Sequence, residues 1–520
     1  MNDQTKIRTV TLCMTLAVSI LFFRSIASGP VSAVGNYKDP GRRPVIRPDY
    51  VDTVIPANIS PLNFDIQEQG ERYRIRISST EGDAIDLSSG DSAIDIPLDE
   101  WSRLLKANRG NPLSVEVFCE HSDGYWTRYQ TITNQIAAED IDGHLVYRKL
   151  NPNYNFWSEI GIYQRDLSGW DESVVLDGRS MGTGCVNCHT FNKGNPDRMF
   201  IGIRGGSFDA GTLLADKEKV DKISSAWGYM TWHPSGLITT QTMIKVRQFF
   251  HQGGPEVRDV IDLDASMVYY DLRTQTLKTT AGIAEDDRLE TYPSWSPDGH
   301  YLYFNSAPIL WDDRDSMVPE RYDEVQYDLR RISYDVEADE WGEVETVLSA
   351  EETGLSILMP RVSPDGRFLL FCMTEYGCFP ILQPSSDLYM MNLETRDYTR
   401  LAINSDYSES WHSWSTNSAW IAFSSKRRGG LFTRTYISHV DEQGSVSKPF
   451  ILPQRDPLFY DSHLKTFSVP EFTTGPVEIS QRALSAAGRG PATIDVVSPV
   501  TFDSTPTKGA MLTDAPVGQP

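Results

Sequence analysis

Apolar and polar residues alternate along Leu62-Asn63-Phe64-Asp65-Ile66, Tyr73-Arg74-Ile75-Arg76-Ile77 and Leu113-Ser114-Val115-Glu116-Val117. That period of two belongs to strands with one buried face, and it places a small β-sandwich over residues 51–150. One helix interrupts it, expected from about Leu98 to Ala107, because Asp99 and Glu100 supply an acidic start and Gly110 a stop. Further on the pattern changes to continuous apolar runs, among them Tyr301-Leu302-Tyr303-Phe304, Phe368-Leu369-Leu370-Phe371 and Met267-Val268-Tyr269-Tyr270, which read as strands buried on both faces.

A short phrase precedes several of these runs. It stands as Trp232-His233-Pro234-Ser235-Gly236, Trp295-Ser296-Pro297-Asp298-Gly299, Val362-Ser363-Pro364-Asp365-Gly366 and Trp414-Ser415-Thr416-Asn417-Ser418. Chemically it is a turn: Pro presets φ, Asp or Asn caps the local backbone, and Gly accepts positive φ. The copies are 63, 67 and 52 residues apart, the length of a four-stranded blade with generous loops. Four copies imply at least four blades, and the sequence before and after supplies about two more.

These phrases resemble the blade repeats of TolB-like propellers over about Ser225 to Tyr436. The first copy replaces Ser-Pro-Asp by His-Pro-Ser, and the fourth lacks both Pro and Gly. With the alternating strands before it, the resemblance gives the expectation of an all-β chain: an N-terminal β-sandwich followed by a β-propeller of about six blades. It implies little about activity, since propellers host binding, scaffolding and catalysis alike.

At the N-terminus Lys6 and Arg8 precede an apolar run from about Val10 to Phe23, and Val31-Ser32-Ala33 fits a small-x-small cleavage site. Residues 1–33 therefore read as a signal peptide, with a membrane anchor as the alternative, and the protein is expected in the periplasm or at the cell surface. Any membrane contact is expected only through this segment, if it stays uncleaved. Residues 34–50 (rich in Pro, Gly and Arg) read as a linker and residues 476–520 as a flexible tail. A net charge of −23 offers no basic stripe to a phosphate backbone, which excludes nucleic acid as a partner. It suits solubility or the steering of a basic partner.

The chemistry concentrates in Gly184-Cys185-Val186-Asn187-Cys188-His189, which contains Cys-x-x-Cys-His, the attachment signature of c-type haem. Two thiols at this spacing suit the two vinyl groups of one haem, and the adjacent imidazole suits the iron as proximal ligand. Chance alone yields such a string about 0.001 times in a chain of this composition. A disulfide redox pair would want a βαβ setting, a zinc site a second pair of ligands, and neither accompanies the motif. One covalent haem c is expected on Cys185 and Cys188 with His189 on the iron, carried in a long loop of residues 151–215 that also holds the first blade, with residues 216–475 completing the propeller.

Met199, ten residues beyond His189, is the candidate for the sixth iron position, with packing between blades as its other reading. Met181 lies too close in sequence to reach the opposite face of the ring. His233 and His412 read as turn or core residues. Trp157, Tyr163, Trp170, Phe191 and Trp227 are candidates to wrap the haem. Cys372 and Cys378 are candidates for a local disulfide or for two buried thiols, and Cys119 for a core position.

The leading functional expectation is a monohaem protein for electron transfer or redox sensing that docks a redox or envelope partner. A nitrite-reductase-like haem enzyme with an open iron site and a ligand- or protein-binding scaffold with structural haem are the alternatives. Hydrolase and nucleotide chemistry find no support, because neither Gly-x-Ser-x-Gly nor a phosphate-cradling glycine loop occurs.

Overall fold

The computed structural model describes residues 27–28 and 36–500, apart from 153–156, 206, 252, 254–255, 257 and 315–317. The signal segment lies outside the described residues except for Ala27–Ser28, which pair with Ser88 and Leu87.

Six four-stranded antiparallel sheets form a six-bladed β-propeller. Their inner strands are Thr466–Thr473 in blade 1, Cys185–Asn192 in blade 2, Gly228–Trp232 in blade 3, Arg288–Trp295 in blade 4, Ser356–Val362 in blade 5 and Glu409–Trp414 in blade 6. Each inner strand touches the next, and Thr466–Thr473 touches both Glu409–Trp414 and Cys185–Asn192, so the ring closes. Closure is non-local: the inner strand of blade 1 comes from the far end of the chain and pairs with His144–Leu150.

The recurring phrase sits where sequence placed it, between the first and second strands of blades 3 to 6. In the second to fourth copies a serine hydroxyl closes the turn: Ser296 Oγ donates to Asp298 Oδ1 at 2.5 Å, Ser363 Oγ to Asp365 Oδ1 at 2.6 Å, and Ser415 Oγ to Asn417 Oδ1 at 2.6 Å. The same oxygens accept from the backbone N–H of Tyr301, Phe368 and Trp420. The fourth copy keeps this turn without glycine, because Ser418 itself takes φ 63°.

Ala27–Ser28 and residues 36–136 form an eight-stranded sheet and a separate three-stranded sheet of Ile46–Arg47, Phe64–Ile66 and Ala93–Ile94. The helix Leu98–Ala107 spans the expected residues and buries Trp101, Leu104 and Leu105. Three boundaries differ from expectation. His144–Leu150 belongs to the propeller, because its partner strand is Thr466–Thr473 rather than any strand of the N-terminal sheets. The linker is structured: Tyr37–Lys38 pairs with Trp126–Thr127, Ile46–Arg47 pairs with Ile66 and Asp65, and Tyr50 is buried. In the expected tail, Gln481–Arg489 is a helix capped by Ser480, whose buried Leu484 joins the cluster of Met181 and Ile203. Residues 501–520 lie outside the described part.

Blade 3 carries a long hairpin, Ile238–Phe250 and Arg258–Asp271, that runs past its inner strand across the mouth of the central channel. Trp311 Nε1 donates to Leu263 O at 3.0 Å from blade 4, and Tyr376 OH to Asp259 Oδ2 at 2.9 Å from blade 5. At its tip Glu256 is ion-paired with Lys426 of blade 6, on the opposite side of the ring. Among the described residues no helix is long and apolar enough to cross a membrane.

Candidate functional site

Cys185, Cys188 and His189 lie in the inner strand of blade 2, not in the long loop expected for them. Cys185 pairs with Arg204, Val186 with Ile203 and His189 with Ile201, leaving one extra residue in a bulge at Asn187-Cys188. The apolar partners on Asn195–Arg204 draw this segment into the sheet: Val186, Phe191, Met199, Ile201 and Ile203 share one buried cluster.

The three side chains do not converge. Cys185 packs with Leu150, Ile160 and Trp157 on the blade 1 side. His189 is also on that side, beside Arg148 and the Val146 backbone. Cys188 instead packs against the cluster of Phe200, Trp227 and Met230 between blades 2 and 3. Among the described residues no three His, Cys, Asp or Glu side chains approach closely enough to hold a metal ion.

His189 is the unusual group. Its side chain is buried, and apart from a loose approach to the Val146 carbonyl neither Nδ1 nor Nε2 forms a hydrogen bond with a described residue. Burial, reinforced by the Arg148 guanidinium, pushes it down to about 3, so the imidazole is neutral at physiological pH. A neutral imidazole whose nitrogens are this weakly engaged has the state that a metal ligand requires. Around it, Arg148 Nη1 donates to Asn187 Oδ1, and the Phe191 N–H donates to Glu471 Oε1 at 2.9 Å. Burial raises the Glu471 carboxyl to about 7.

Against a covalent haem, the donor chemistry fits and the placement does not. Both cysteines keep their sulfurs outside any disulfide and the imidazole is ready, yet the strand turns Cys188 away from Cys185 and His189.

Met199 pairs with Phe191 and is buried on the same sheet face as Ile201, the partner of His189. Diagonal neighbours on one face cannot sit on opposite sides of a porphyrin, so this placement gives Met199 a packing role. Of the aromatic candidates, Trp157 touches Cys185, Phe191 lies 6.0 Å from His189, and Trp227 shares the Cys188 cluster; Tyr163 instead covers Lys149. His233 and His412 are satisfied core groups, bonded to the carbonyls of Gly299 and Leu370. Cys372 and Cys378 are separate buried thiols rather than a disulfide, directed at the Glu409 and Val260 carbonyls. Cys119 is buried in the N-terminal sheet, as expected.

Two features escaped the sequence reading. Tyr229, Tyr292, Met359, Trp411 and Val469 all take positive φ at the equivalent bulge of their inner strands, the position that Asn187 occupies in blade 2. The second is Asp262, buried on the second strand of the hairpin with Oδ1 unpartnered among the described residues and raised to about 7 by burial, beside Tyr327 and Cys378. Only the spacing of inner strands could have signalled the first; nothing local signals the second.

No family model and no curated protein matches the sequence. Among solved structures the chain is similar to TolB from Acinetobacter baumannii, at 14% identity and a TM-score of 0.40, over 70% of this chain and 79% of that one. It is similar to oligogalacturonate lyase from Vibrio parahaemolyticus at 11% identity and a TM-score of 0.34, covering 60% and 75%. A third similar structure is an ACO/RPE65 chimera, at 11% identity and a TM-score of 0.36, covering 84% and 97%.

Proposed function

We propose that this chain is an exported propeller protein carrying one covalent haem c on Cys185 and Cys188, with His189 as the proximal iron ligand. Its role is electron transfer or redox sensing with an envelope partner, in the periplasm or at the cell surface. One observation carries the reading: the imidazole of the Cys-x-x-Cys-His string is buried and neutral, and among the described residues it has no well-formed hydrogen bond, only a loose approach to the Val146 carbonyl. An orphaned buried polar group costs about 1–3 kcal/mol, and a bound iron would remove that cost.

The test is mass spectrometry of the peptide containing residues 184–189 from protein matured in a host that attaches haem. A mass increase of one haem, retained through acid-acetone extraction, is the expected result. Unmodified sulfurs, or haem that extracts, overturn the proposal. Carbon monoxide then separates the roles: resistance to the gas supports electron transfer, and ready binding supports an enzyme with an open iron site.

A docking scaffold is the second reading. Phe250 near the tip of the hairpin, Tyr407 and Leu464 in loops leading to inner strands, and Leu431 between the second and third strands of blade 6 are exposed, a set suited to contact with another protein. Haem-free protein that still captures an envelope partner would favour it.

A further inference from the structure

We propose that the cavity between the hairpin of blade 3 and blades 4 and 5 binds a small alkylammonium ion, with Asp262 as its counter-charge and Trp311, Tyr322 and Tyr327 as its aromatic wall. The cavity holds about 180 Å³ including its mouth, and Leu289 and Val325 add to its apolar lining. Asp262 and Tyr327 are each 1% exposed, whereas Trp311 and Tyr322 are half-buried, so the carboxyl sits deep and two of the rings stand nearer the solvent. Trp311 is fixed against the hairpin by its bond to Leu263 O.

Asp262 differs from the other carboxylates of its strand. Asp264 is ion-paired with Arg314 at 2.8 Å, and Asp259 accepts from Tyr376 OH at 2.9 Å and Gln383 Nε2 at 3.3 Å. Asp262 has no ion pair among the described residues. Tyr327 OH approaches its Oδ2 at 3.4 Å, and the Cys378 thiol is a weak donor shared with the Val260 carbonyl. Its Oδ1 has no hydrogen-bond partner among the described residues. The titratable groups around the carboxyl are Tyr229, Tyr292, Tyr327 and Cys378, each raised by burial, and none of them supplies a positive charge. A buried carboxylate left without one is costly, and a cation in the cavity would compensate it.

The wall also selects the kind of cation. A metal ion needs several oxygen ligands and a primary ammonium three acceptors, whereas this surface is apolar and aromatic around one free carboxylate oxygen. A nitrogen with a single N–H and a coat of methyl groups matches it: the N–H donates to Oδ1, and the methylated cation lies against the rings. The net charge of −23 draws cations towards the protein as a whole. The cavity shares no lining residue with Cys185, Cys188 and His189, so its occupancy is independent of haem.

Calorimetric titration of the full chain with trimethylammonium chloride tests the site. Saturable binding is expected, weakened about tenfold or more in Asp262→Asn, which keeps the shape of the side chain and removes its charge. tert-Butanol, of similar shape with one O–H and no charge, is expected to bind wild type about tenfold or more weakly than trimethylammonium does. That comparison decides alone should the variant fail to fold, which circular dichroism checks. Absence of saturable binding to wild type, equal binding to folded Asp262→Asn, or equal binding of tert-butanol overturns the proposal.

Discussion

The ring of Tyr229 lies 6.1 Å from that of Trp411, although the two residues belong to blades on opposite sides of the propeller. Tyr292 completes a triangle with them, 4.2 Å from Tyr229 and 6.3 Å from Trp411. Positive φ at three non-glycine residues is costly backbone, and here it turns three aromatic rings into the axis. Side chains from the bulges of three inner strands thus pack together at the axis of the ring.

Trp411→Ala should therefore destabilise the propeller by about 3–5 kcal/mol, the range for a buried aromatic truncated in a core. The exposed Tyr398 of blade 5 provides the contrast, with Tyr398→Ala within about 0.5 kcal/mol of wild type. Urea unfolding followed by circular dichroism distinguishes the two, and a similar midpoint for both would refute the idea of a packed axis.

Ser418 tests the turn that survived the loss of its glycine. Its φ of 63° favours glycine, while its hydroxyl accepts from the Asp365 N–H at 3.0 Å and so ties blade 6 to blade 5. Ser418→Ala loses the bond and keeps the strain, an expected cost of about 1–2 kcal/mol. Ser418→Gly loses the bond but relieves the backbone, and should lie within about 1 kcal/mol of wild type. Thermal midpoints in the opposite order would remove strain from the explanation.

What sequence reveals here follows the range of the interactions involved. The phrases ending at Gly236, Gly299, Gly366 and Ser418 locate four blades because each turn is made within six residues. Helix Leu98–Ala107 was readable for the same reason. Closure by Thr466–Thr473 against His144–Leu150 depends on contacts more than 300 residues apart, so the local pattern assigned His144–Leu150 to the wrong unit. The hairpin was hidden because Arg247, Gln248 and the glycines near its tip look like a loop until the opposite blade supplies Lys426. At the candidate site the residue types were legible, but the conformation was not. A Cys-x-x-Cys-His string is compatible with turn or strand, and Ile201 and Ile203 on the neighbouring strand decide in favour of the strand.

Met199→Ala separates packing from ligation. The side chain is buried among Phe191, Ile201 and Leu213, so its loss should cost about 2–5 kcal/mol in stability. The ferric absorption spectrum of the haem-loaded protein should be unchanged. A shift towards high spin would instead place the thioether on the iron.

Buried carboxyls set the alkaline side of the stability profile. Burial raises Asp262 from an ordinary 3.8 to about 7, and raises Glu290 and Glu471 from 4.5 to about 8 and about 7. The folded chain keeps protons that the unfolded chain releases, so the contribution of these groups is complete below about pH 4 and is lost as pH rises through 7 to 8. His189 and His412, both lowered to about 3, act in the opposite sense: their contribution is present above about pH 6.5 and is lost as pH falls. Asp262→Asn should gain stability relative to wild type between pH 5 and pH 8, by about 3 kcal/mol at most. Parallel curves for the two proteins would show that the Asp262 carboxyl stays charged.

The C-terminal strap offers the sharpest local test, because one buried ammonium group caps the end of its helix. Lys222 is 1% exposed and donates to the carbonyls of Gly488 and Gly490, which end the helix Gln481–Arg489. A cation at a helix C-terminus satisfies orphan carbonyls and opposes the negative end of the helix dipole. Lys222→Met keeps the length of the stem and removes both effects, leaving the carbonyls buried at a cost of about 1–3 kcal/mol. That loss falls on the strap rather than on the ring, which closes through Thr466–Thr473 before the strap begins. Trypsin should therefore cut after Arg489 faster in Lys222→Met than in wild type, while the far-ultraviolet circular dichroism of the propeller is retained. Equal cleavage rates would show that Leu484 and its apolar neighbours hold the helix without the lysine.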